Sequence, residues 1–421
     1  MKNFIRSLLP EPILQAYHFV LASSGAVLYG FPSRKLVVIA VTGTKGKSTV
    51  VELVAETLRA SLPAGKAGGK KVASASTIRF CVGDESKLNL HKMTMPGRFF
   101  LQKFLRRAVD AGCTHAVVEM TSEGALQYRH RGVALDALVF TNLQPEHLER
   151  HGGFDAYASA KLSLAKHLES SPKRPRVIVA NTDDAYGQKF LEHAVEVRAP
   201  YGLKDAEPYN TDDRNVRFVW RGVLFSVPLP GVFNLYNCLA ALALGEALGL
   251  KTGDMKRALE HMPVIPGRAE RIESGQPFAV VVDYAHTPDS LRALFETFKN
   301  HRILAVFGAT GGGRDTWKRK EMGAVADKFC SVAILTDDDS YDEHPESIAK
   351  EIAKGFTRIT PGIQTDRRKA IAEALAQARG GDAVLIAGKG TDPYLMGARG
   401  KKEPWSDAEV AKEELAKLGY N

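Results

Sequence analysis

Leu36-Val37-Val38-Ile39-Ala40-Val41 runs directly into Thr42-Gly43-Thr44-Lys45-Gly46-Lys47-Ser48-Thr49. The first six residues are a short β-branched run suited to a buried parallel strand. A Gly-rich turn follows, and Ser48 to Leu58 reads as a helix. Strand, glycine turn and helix in that order form the context a phosphate-binding loop requires. Glycines let backbone N–H groups approach phosphate oxygens, and the helix N-terminus adds positive potential. Lys47 would supply a point charge near the terminal phosphates, and Ser48 a hydroxyl to Mg²⁺. Gly43, Thr44, Lys45, Gly46 and Thr49 would complete the cradle. The spacing Gly-x-x-Gly-Lys-Ser is shorter than the general Walker pattern. A glycine turn without nucleotide is the bland alternative, and it is the weaker one because Lys47 and Ser48 both stand in place.

Working outward, apolar strand runs recur at Ala116–Glu119, Ala137–Thr141 and Val177–Ala180, with helical patterns between them. That alternation predicts a doubly wound α/β sheet. Residues 63–71 read as a loop. An Ala-rich helical block, Asn237 to Leu248, precedes Met262-Pro263-Val264-Ile265-Pro266-Gly267, where two prolines and a glycine break both periodicities. Beyond it Ala279–Asp283, Ile303–Phe307, Val332–Thr336 and Ala383–Ala387 form a second strand set. The expected organisation is therefore an apolar helical segment over 1–35, a central ATP-binding domain over 36–263 and a Rossmann-like α/β domain over 264–421. Pro12 to Phe31 is borderline in length for a membrane span and carries Tyr17, His18, Ser23 and Ser24. A helix packed on the protein body is favoured. A weak membrane-surface contact through residues 12–31 is the minority reading, helped by Lys2, Arg6, Arg34 and Lys35.

Over 421 residues, 44% hydrophobic and 25% charged content excludes collagen, long coiled coil and wholesale disorder. Cys81, Cys113, Cys238 and Cys330 stand alone, which argues against a zinc ribbon or disulfide framework and fits a reducing cytoplasm. The formal net charge is +9, yet no basic stretch interleaves with aromatics, so no nucleic-acid partner is expected. A positive cleft for phosphorylated or carboxylated small substrates fits as well.

The shortened loop resembles the ATP site of the Mur ligase superfamily of ATP-dependent amino-acid ligases, and the likeness runs from about residue 36 to 415. Asn142-Leu143 with Glu146-His147-Leu148 and His151-Gly152 resembles one of its ordered segments. Tyr157-Ala158-Ser159-Ala160-Lys161 resembles another, as do Gly231 to Asn237, Pro266-Gly267-Arg268, Asp283 to Pro288, Gly388-Lys389-Gly390 and Trp405-Ser406-Asp407. The nearest branch is MurE, the muramoyl-tripeptide synthetases. The resemblance implies ATP and Mg²⁺ as cofactors, transfer of the γ-phosphate to a carboxylate, and attack of an amino acid on the acyl phosphate. It implies Lys47, His147, Lys161 and Arg268 as catalytic residues, with Ser48, Glu119, His147 and a carbamylated Lys161 around the metal. Glu119 closes its strand, where a hard oxygen ligand can face the cleft. Taken alone, Glu119 is a solvated strand end, His147 a structural histidine and Lys161 a surface lysine. Asn234 or Asn237 would contact adenine, though Asn237 could equally cap the Ala-rich helix. Arg268 would reach phosphate and Asp283 would sit near the ribose.

For the acceptor, a peptidoglycan-precursor peptide, Thr94, Thr121, Ser122, Gln127 and Arg129 resemble that branch's holding segments, with Met95 and Glu123 departing from them. On the amino-acid side the implied residues are His286, Arg314, Asp338, Asp339, Tyr341, Lys389 and Asp392. Diaminopimelate users carry Asp-Asn-Pro-Arg where this chain has Asp338-Asp339-Ser340-Tyr341, so a basic amino acid is expected instead. Arg314 works against that expectation, and Arg319 could take over the missing fork. The branch normally begins with a uridine-nucleotide-binding domain, and only the apolar segment stands ahead of Thr42 here. The reading is a cytoplasmic MurE-like ligase of peptidoglycan biosynthesis. Folylpolyglutamate synthase, a cyanophycin-type ligase and a silent nucleotide-binding module are its rivals.

Overall fold

The computed structural model describes residues 11–62, 71–146, 152–313 and 315–420. The chain divides into two compact units. The first takes residues up to 209, 218–226 and 235–262, and the second takes 210–217, 227–234 and 263 onward.

In the first unit α1 is Glu11–Leu28 and β1 is Val37–Thr42, followed by α2, Lys47–Ser61. β2 (Val72–Ala75), β3 (Arg79–Val82) and β4 (Glu85–Leu88) precede α3, Arg98–Asp110. Then come β5 (His115–Glu119), α4 (Ser122–Leu126), β6 (Ala137–Phe140), α5 (Phe154–Glu169), β7 (Val177–Asn181) and β8 (Val197–Tyr201). The eight strands lie in the order β4-β3-β2-β5-β1-β6-β7-β8. β2, β5, β1, β6, β7 and β8 are parallel, and β3 and β4 form an antiparallel edge. Residues Val38 to Val41 have no exposed surface, as a strand covered on both faces should. β1 is central, with its two neighbours leading to opposite halves of the sheet. The loop after it therefore opens into the crevice where such sheets bind ligands.

α1 is a helix that buries His18, Ala22, Gly25 and Ala26. Ala26 packs so closely on Gly132 that a Cβ there would lie 2.4 Å from its own. Among the described residues no helix is long and apolar enough to cross a membrane. The Ala-rich helix α6 is Val232–Ala247, so it starts earlier than the sequence pattern suggested. Gly231, at φ 84°, makes the break that sets its start. Asn237 therefore lies inside the helix, and the capping alternative for it is wrong.

In the second unit β9 (Glu270–Arg271), β10 (Ala279–Asp283), β11 (Ile303–Phe307), β12 (Val332–Leu335), β13 (Gly362–Ile363) and β14 (Ala383–Ala387) make one sheet. Its order is β9-β10-β14-β11-β12-β13, all parallel except β9. Separate apolar clusters cover its two faces, one around Leu291, Phe295 and Met322, the other around Ile371, Leu375 and Leu415. Helices α7 (Arg367–Gln377) and α8 (Asp407–Lys417) are tied by a bidentate pair, Arg367 to Asp407, at 2.7 Å for both bonds and with no side-chain exposure. Trp405 donates from Nε1 to the same Asp407. Trp405-Ser406-Asp407 is thus a structural clamp, with Ser406 capping α8 by accepting from Glu409 N–H.

Candidate active site

Two glycines shape the phosphate loop. Gly43 adopts φ 148°, and a Cβ on it would stand 1.9 Å from Thr141 Oγ1. Gly46 caps α2 at φ 81°, and a Cβ there would stand 2.3 Å from Asn237 Oδ1. Neither position tolerates a side chain, because the left-handed backbone and the space both forbid it. Asn237 is therefore set with its amide against the loop, inside the first unit. The loop is held from β6: Thr141 Oγ1 donates to the Lys45 carbonyl at 2.7 Å, and Asn142 Oδ1 accepts from Lys45 N–H at 2.8 Å. Lys45 pairs with the buried Glu146 at 2.9 Å. Lys47 donates to the Thr44 carbonyl at 2.8 Å and lies 3.9 Å from Glu119. Ser48 and Thr49 are buried at the start of α2.

The register of β1 against β5 sets Val41 opposite Glu119, which brings that carboxylate to the loop. Glu119 Oε2 accepts from Ser48 Oγ at 2.8 Å, Thr77 N–H at 2.9 Å and Thr77 Oγ1 at 3.1 Å. Thr77 Oγ1 also shares a hydrogen bond of 2.7 Å with Thr94 Oγ1. A continuous polar path therefore runs from the loop through Glu119 and Thr77 to Thr94. A carboxylate with a hydroxyl beside it is a hard-oxygen set that suits Mg²⁺. The sequence reading missed Thr77. The only signal for it was a hydroxyl pair, Ser76-Thr77, just past a parallel strand.

Lys161, on α5, is 2% exposed and donates to the Gly43 carbonyl at 2.6 Å. Its ammonium lies 4.7 Å from the Tyr157 ring, and Tyr157 in turn shares a 2.9 Å hydrogen bond with Thr44 Oγ1. Burial, then the nearby Lys47, pushes the Lys161 amine well below its ordinary range. Burial at this position thus favours the uncharged form of the amine, which a solvated surface lysine would not show.

The residues expected on the acceptor side, all in the same unit, also meet. Thr121 caps α4 by accepting from Gly124 N–H at 3.1 Å, with Ser122 buried behind it. Arg129 donates to Gln127 Oε1 at 2.7 Å and to the Met95 carbonyl. Met95 Sδ fills the space over Gly124, so the methionine that departs from the family pattern is packed into this corner.

In the second unit three separated motifs converge. Asp283 pairs with Ala387 across β10 and β14, which places the segments after both strands side by side. A Cβ on Gly267 would lie 2.4 Å from Thr391 N, and one on Gly390 would lie 2.9 Å from Tyr284 Cβ. Asp283 accepts from Ala269 and Ala285 N–H at 2.6 and 2.8 Å. The Arg268 guanidinium lies 4.4 Å from the Tyr284 ring, and His286 Nδ1 contacts the Tyr284 carbonyl at 2.7 Å. Asn234 donates to the Pro230 carbonyl at 2.8 Å and is almost fully buried.

Lys389 has no exposed side-chain surface and pairs with Asp339 at 2.8 Å and Asp392 at 3.0 Å, with Asp338 at 3.9 Å. Burial alone would lower its value, but the three carboxylates outweigh burial and raise it. Burial raises the Asp338 carboxyl to about 6 against the pull of Lys389, and among the described residues its Oδ2 accepts no hydrogen bond. The acidic cluster is thus partly neutralised from within, which weakens the sequence expectation that it stands open to a ligand cation. Tyr341 and Asp339 both hold left-handed backbones, at φ 51° and 60°. Arg319 is 2% exposed and committed to Glu343 at 2.9 Å and Glu351 at 2.8 Å, so it does not take over the missing fork. His147 and Arg314 lie outside the described residues, as do residues 63–70 of the expected loop.

Known proteins resemble the chain over most of its length. The Mur ligase middle domain matches residues 41–245, and the Mur ligase glutamate ligase domain matches residues 267–390. A UDP-N-acetylmuramyl-tripeptide synthetase of Roseiflexus sp. (strain RS-1) is 35% identical, over 98% of this chain and 85% of its own length. A UDP-N-acetylmuramoyl-L-alanyl-D-glutamate–2,6-diaminopimelate ligase of Aquifex aeolicus is also 35% identical, over 98% and 84%. A solved structure of a ligase of that last name superposes with a TM-score of 0.60 at 30% identity, covering 92% of this chain and 79% of its own. Mycobacterium tuberculosis folylpolyglutamate synthase complexed with ADP shares the fold, with a TM-score of 0.68 at 17% identity over 89% and 92%. With both of its units matched and relatives aligned over nearly all of its own length, the chain belongs to the Mur ligase family of ATP-dependent, amide-forming ligases.

Proposed function

We propose that the chain joins an amino acid to a carboxylate of a UDP-muramoyl-peptide, as its tripeptide-synthetase relatives are named for doing. The observation that carries this reading is the path Ser48–Glu119–Thr77–Thr94, which links the phosphate loop to an acceptor-side hydroxyl. ATP phosphates would lie on the N–H groups of residues 43–48, with Lys47 at their charge. Ser48 and Glu119, with Lys161 once it is carbamylated, would hold Mg²⁺. When bound, Mg²⁺ supplies positive charge to the transferring phosphoryl group.

An acceptor carboxylate oxygen would attack the γ-phosphorus, and the bond to ADP would break. The incoming amine would then attack the acyl carbon, phosphate would leave, and the nitrogen would give up a proton. Lys47 and the loop N–H groups stabilise the negative charge spread over the phosphoryl oxygens. Lys161 fits a further role. A neutral buried amine adds to carbon dioxide with loss of one proton, giving a carbamate anion, and its lowered proton affinity favours that step. Asn237 would border the nucleotide, and Arg268 and Asp283 would take the roles the family resemblance implies for them. Thr121, Ser122, Gln127 and Arg129 would bind the acceptor peptide. Tyr341, with His286, Asp338, Asp339, Lys389 and Asp392, would shape the amino-acid pocket. The cytoplasm, where ATP and nucleotide-linked precursors are made, is the expected compartment, and the four buried free thiols are compatible with it.

The test is phosphate release with purified chain, ATP, Mg²⁺, a UDP-muramoyl-dipeptide and an amino-acid mixture. Release should require both acceptor and amino acid, and Lys47→Ala should abolish it. Release in the absence of either substrate, or normal turnover by Lys47→Ala, would overturn the reading.

A further inference from the structure

The catalytic reading leaves α1 unexplained. From Pro12 to Leu28 the helix has no charged residue. Its orientation is the reverse of an ordinary surface helix. His18 and the small residues Ala22, Gly25 and Ala26 face inward, while Ile13, Tyr17, Val20, Val27 and Leu28 face outward, Val20 58% and Leu28 69% exposed. Those outward positions follow helical spacing, so they make one stripe. The stripe borders an open groove of about 590 Å³ that Phe99 of α3 also lines. A contiguous exposed apolar patch of this kind marks a docking surface.

The rim says what docks there. The exposed Arg131 guanidinium sits 5.1 Å from the ring of Phe19. Lys103 stands one helical turn from Phe99, and Arg34 and Lys35 follow the end of α1. Among the described residues none of these four cations has an ion-pair partner. Two copies of the face would oppose two cationic rims, which disfavours self-association. An apolar surface studded with anions satisfies both features.

We infer that the outward face of α1 rests on an anionic lipid surface, its large side chains entering the headgroup boundary and Arg34, Lys35, Lys103 and Arg131 meeting lipid phosphates. The helix lies on such a surface without spanning it. The full chain is tested by flotation with vesicles of phosphatidylcholine alone and of phosphatidylcholine mixed equally with phosphatidylglycerol. Each cation near an anionic surface contributes about fivefold in partitioning. The anionic vesicles should therefore bind at least about tenfold more protein, and high salt should erase most of that preference. Val20→Glu/Val27→Glu should lose binding to both vesicle types. Lys103→Glu/Arg131→Glu should lose only the anionic preference. ATP turnover should stay unchanged in both variants, because all four side chains are exposed and none makes a hydrogen bond or ion pair described for the phosphate loop. Absence of vesicle binding, equal binding to both compositions, or wild-type binding by the variants would overturn the inference. So would a concentration-dependent dimer that Val27→Glu abolishes, which would make the face an interface between copies.

Discussion

Thr77→Val removes one hydroxyl and almost no volume from the centre of the polar path. Two hydrogen bonds go with it: 3.1 Å to Glu119 Oε2 and 2.7 Å to Thr94 Oγ1. The Thr77 N–H bond to Glu119 at 2.9 Å survives, as does Ser48 at 2.8 Å. The carboxylate thus keeps two of its three donors but loses the one that also holds Thr94. A hydrogen bond to a charged group contributes about 1.5–3 kcal/mol, so kcat/KM for the acceptor should fall by about 10- to 100-fold. Part of the loss should appear as a higher Mg²⁺ requirement, because Glu119 is then less firmly oriented. Thr77→Ser retains the hydroxyl and should recover most of the activity. The assay is phosphate release with acceptor and Mg²⁺ varied separately, alongside a thermal melt that should move little for a half-buried, isosteric change. Wild-type kinetics in Thr77→Val, or a Thr77→Ser variant as impaired as Thr77→Val, would refute the argument that this hydroxyl couples the two sites.

Lys161→Ala should be nearly inactive, and a short carboxylic acid in solution should restore part of the rate by supplying the missing anion; full activity without it would remove the carbamate from the account. The buried Lys161 amine should also make stability rise with pH below the ordinary lysine value of 10.5, since the unfolded chain binds a proton that the folded chain does not, and Lys161→Met should flatten that slope in denaturant titrations. Asp338 behaves oppositely. Its carboxyl is raised to about 6, so its contribution is fully present below the unfolded value of 3.8 and lost as pH rises through about 6. Asp338→Asn should therefore stabilise the chain by on the order of 2 kcal/mol at pH 8, with the gain vanishing in acid; a pH-independent effect would exclude ionisation as its cause. Last, a panel of meso-diaminopimelate, lysine, ornithine and alanine should show no preference for meso-diaminopimelate over lysine, because Tyr341 cannot form the two charge-assisted bonds of an arginine fork. A clear preference for meso-diaminopimelate would show that another group binds the distal carboxylate.

The phosphate loop was legible in the sequence because its determinants are local. Gly43, Gly46, Lys47 and Ser48 act through backbone conformation and helix start, within a few residues of one another. Strand runs were legible for the same reason, and the central ones lie where their apolar, β-branched composition put them. Ordered motifs spread along the chain carried the family. What sits beside what was decided only by tertiary structure. Thr77 reaches Glu119 across 42 residues of chain and Thr94 across 17, through the register of β2 and β5, which no local pattern encodes. Capping stood as an alternative for Asn237 because composition cannot see that Gly231 starts α6 a turn and more earlier, which carries the amide to Gly46. The three aspartates read as open negative charge until the fold buried Lys389 among them. Hydropathy showed α1 to be apolar but not which way it faced. Only small residues fit the close packing on Gly132, so the large ones were left outside.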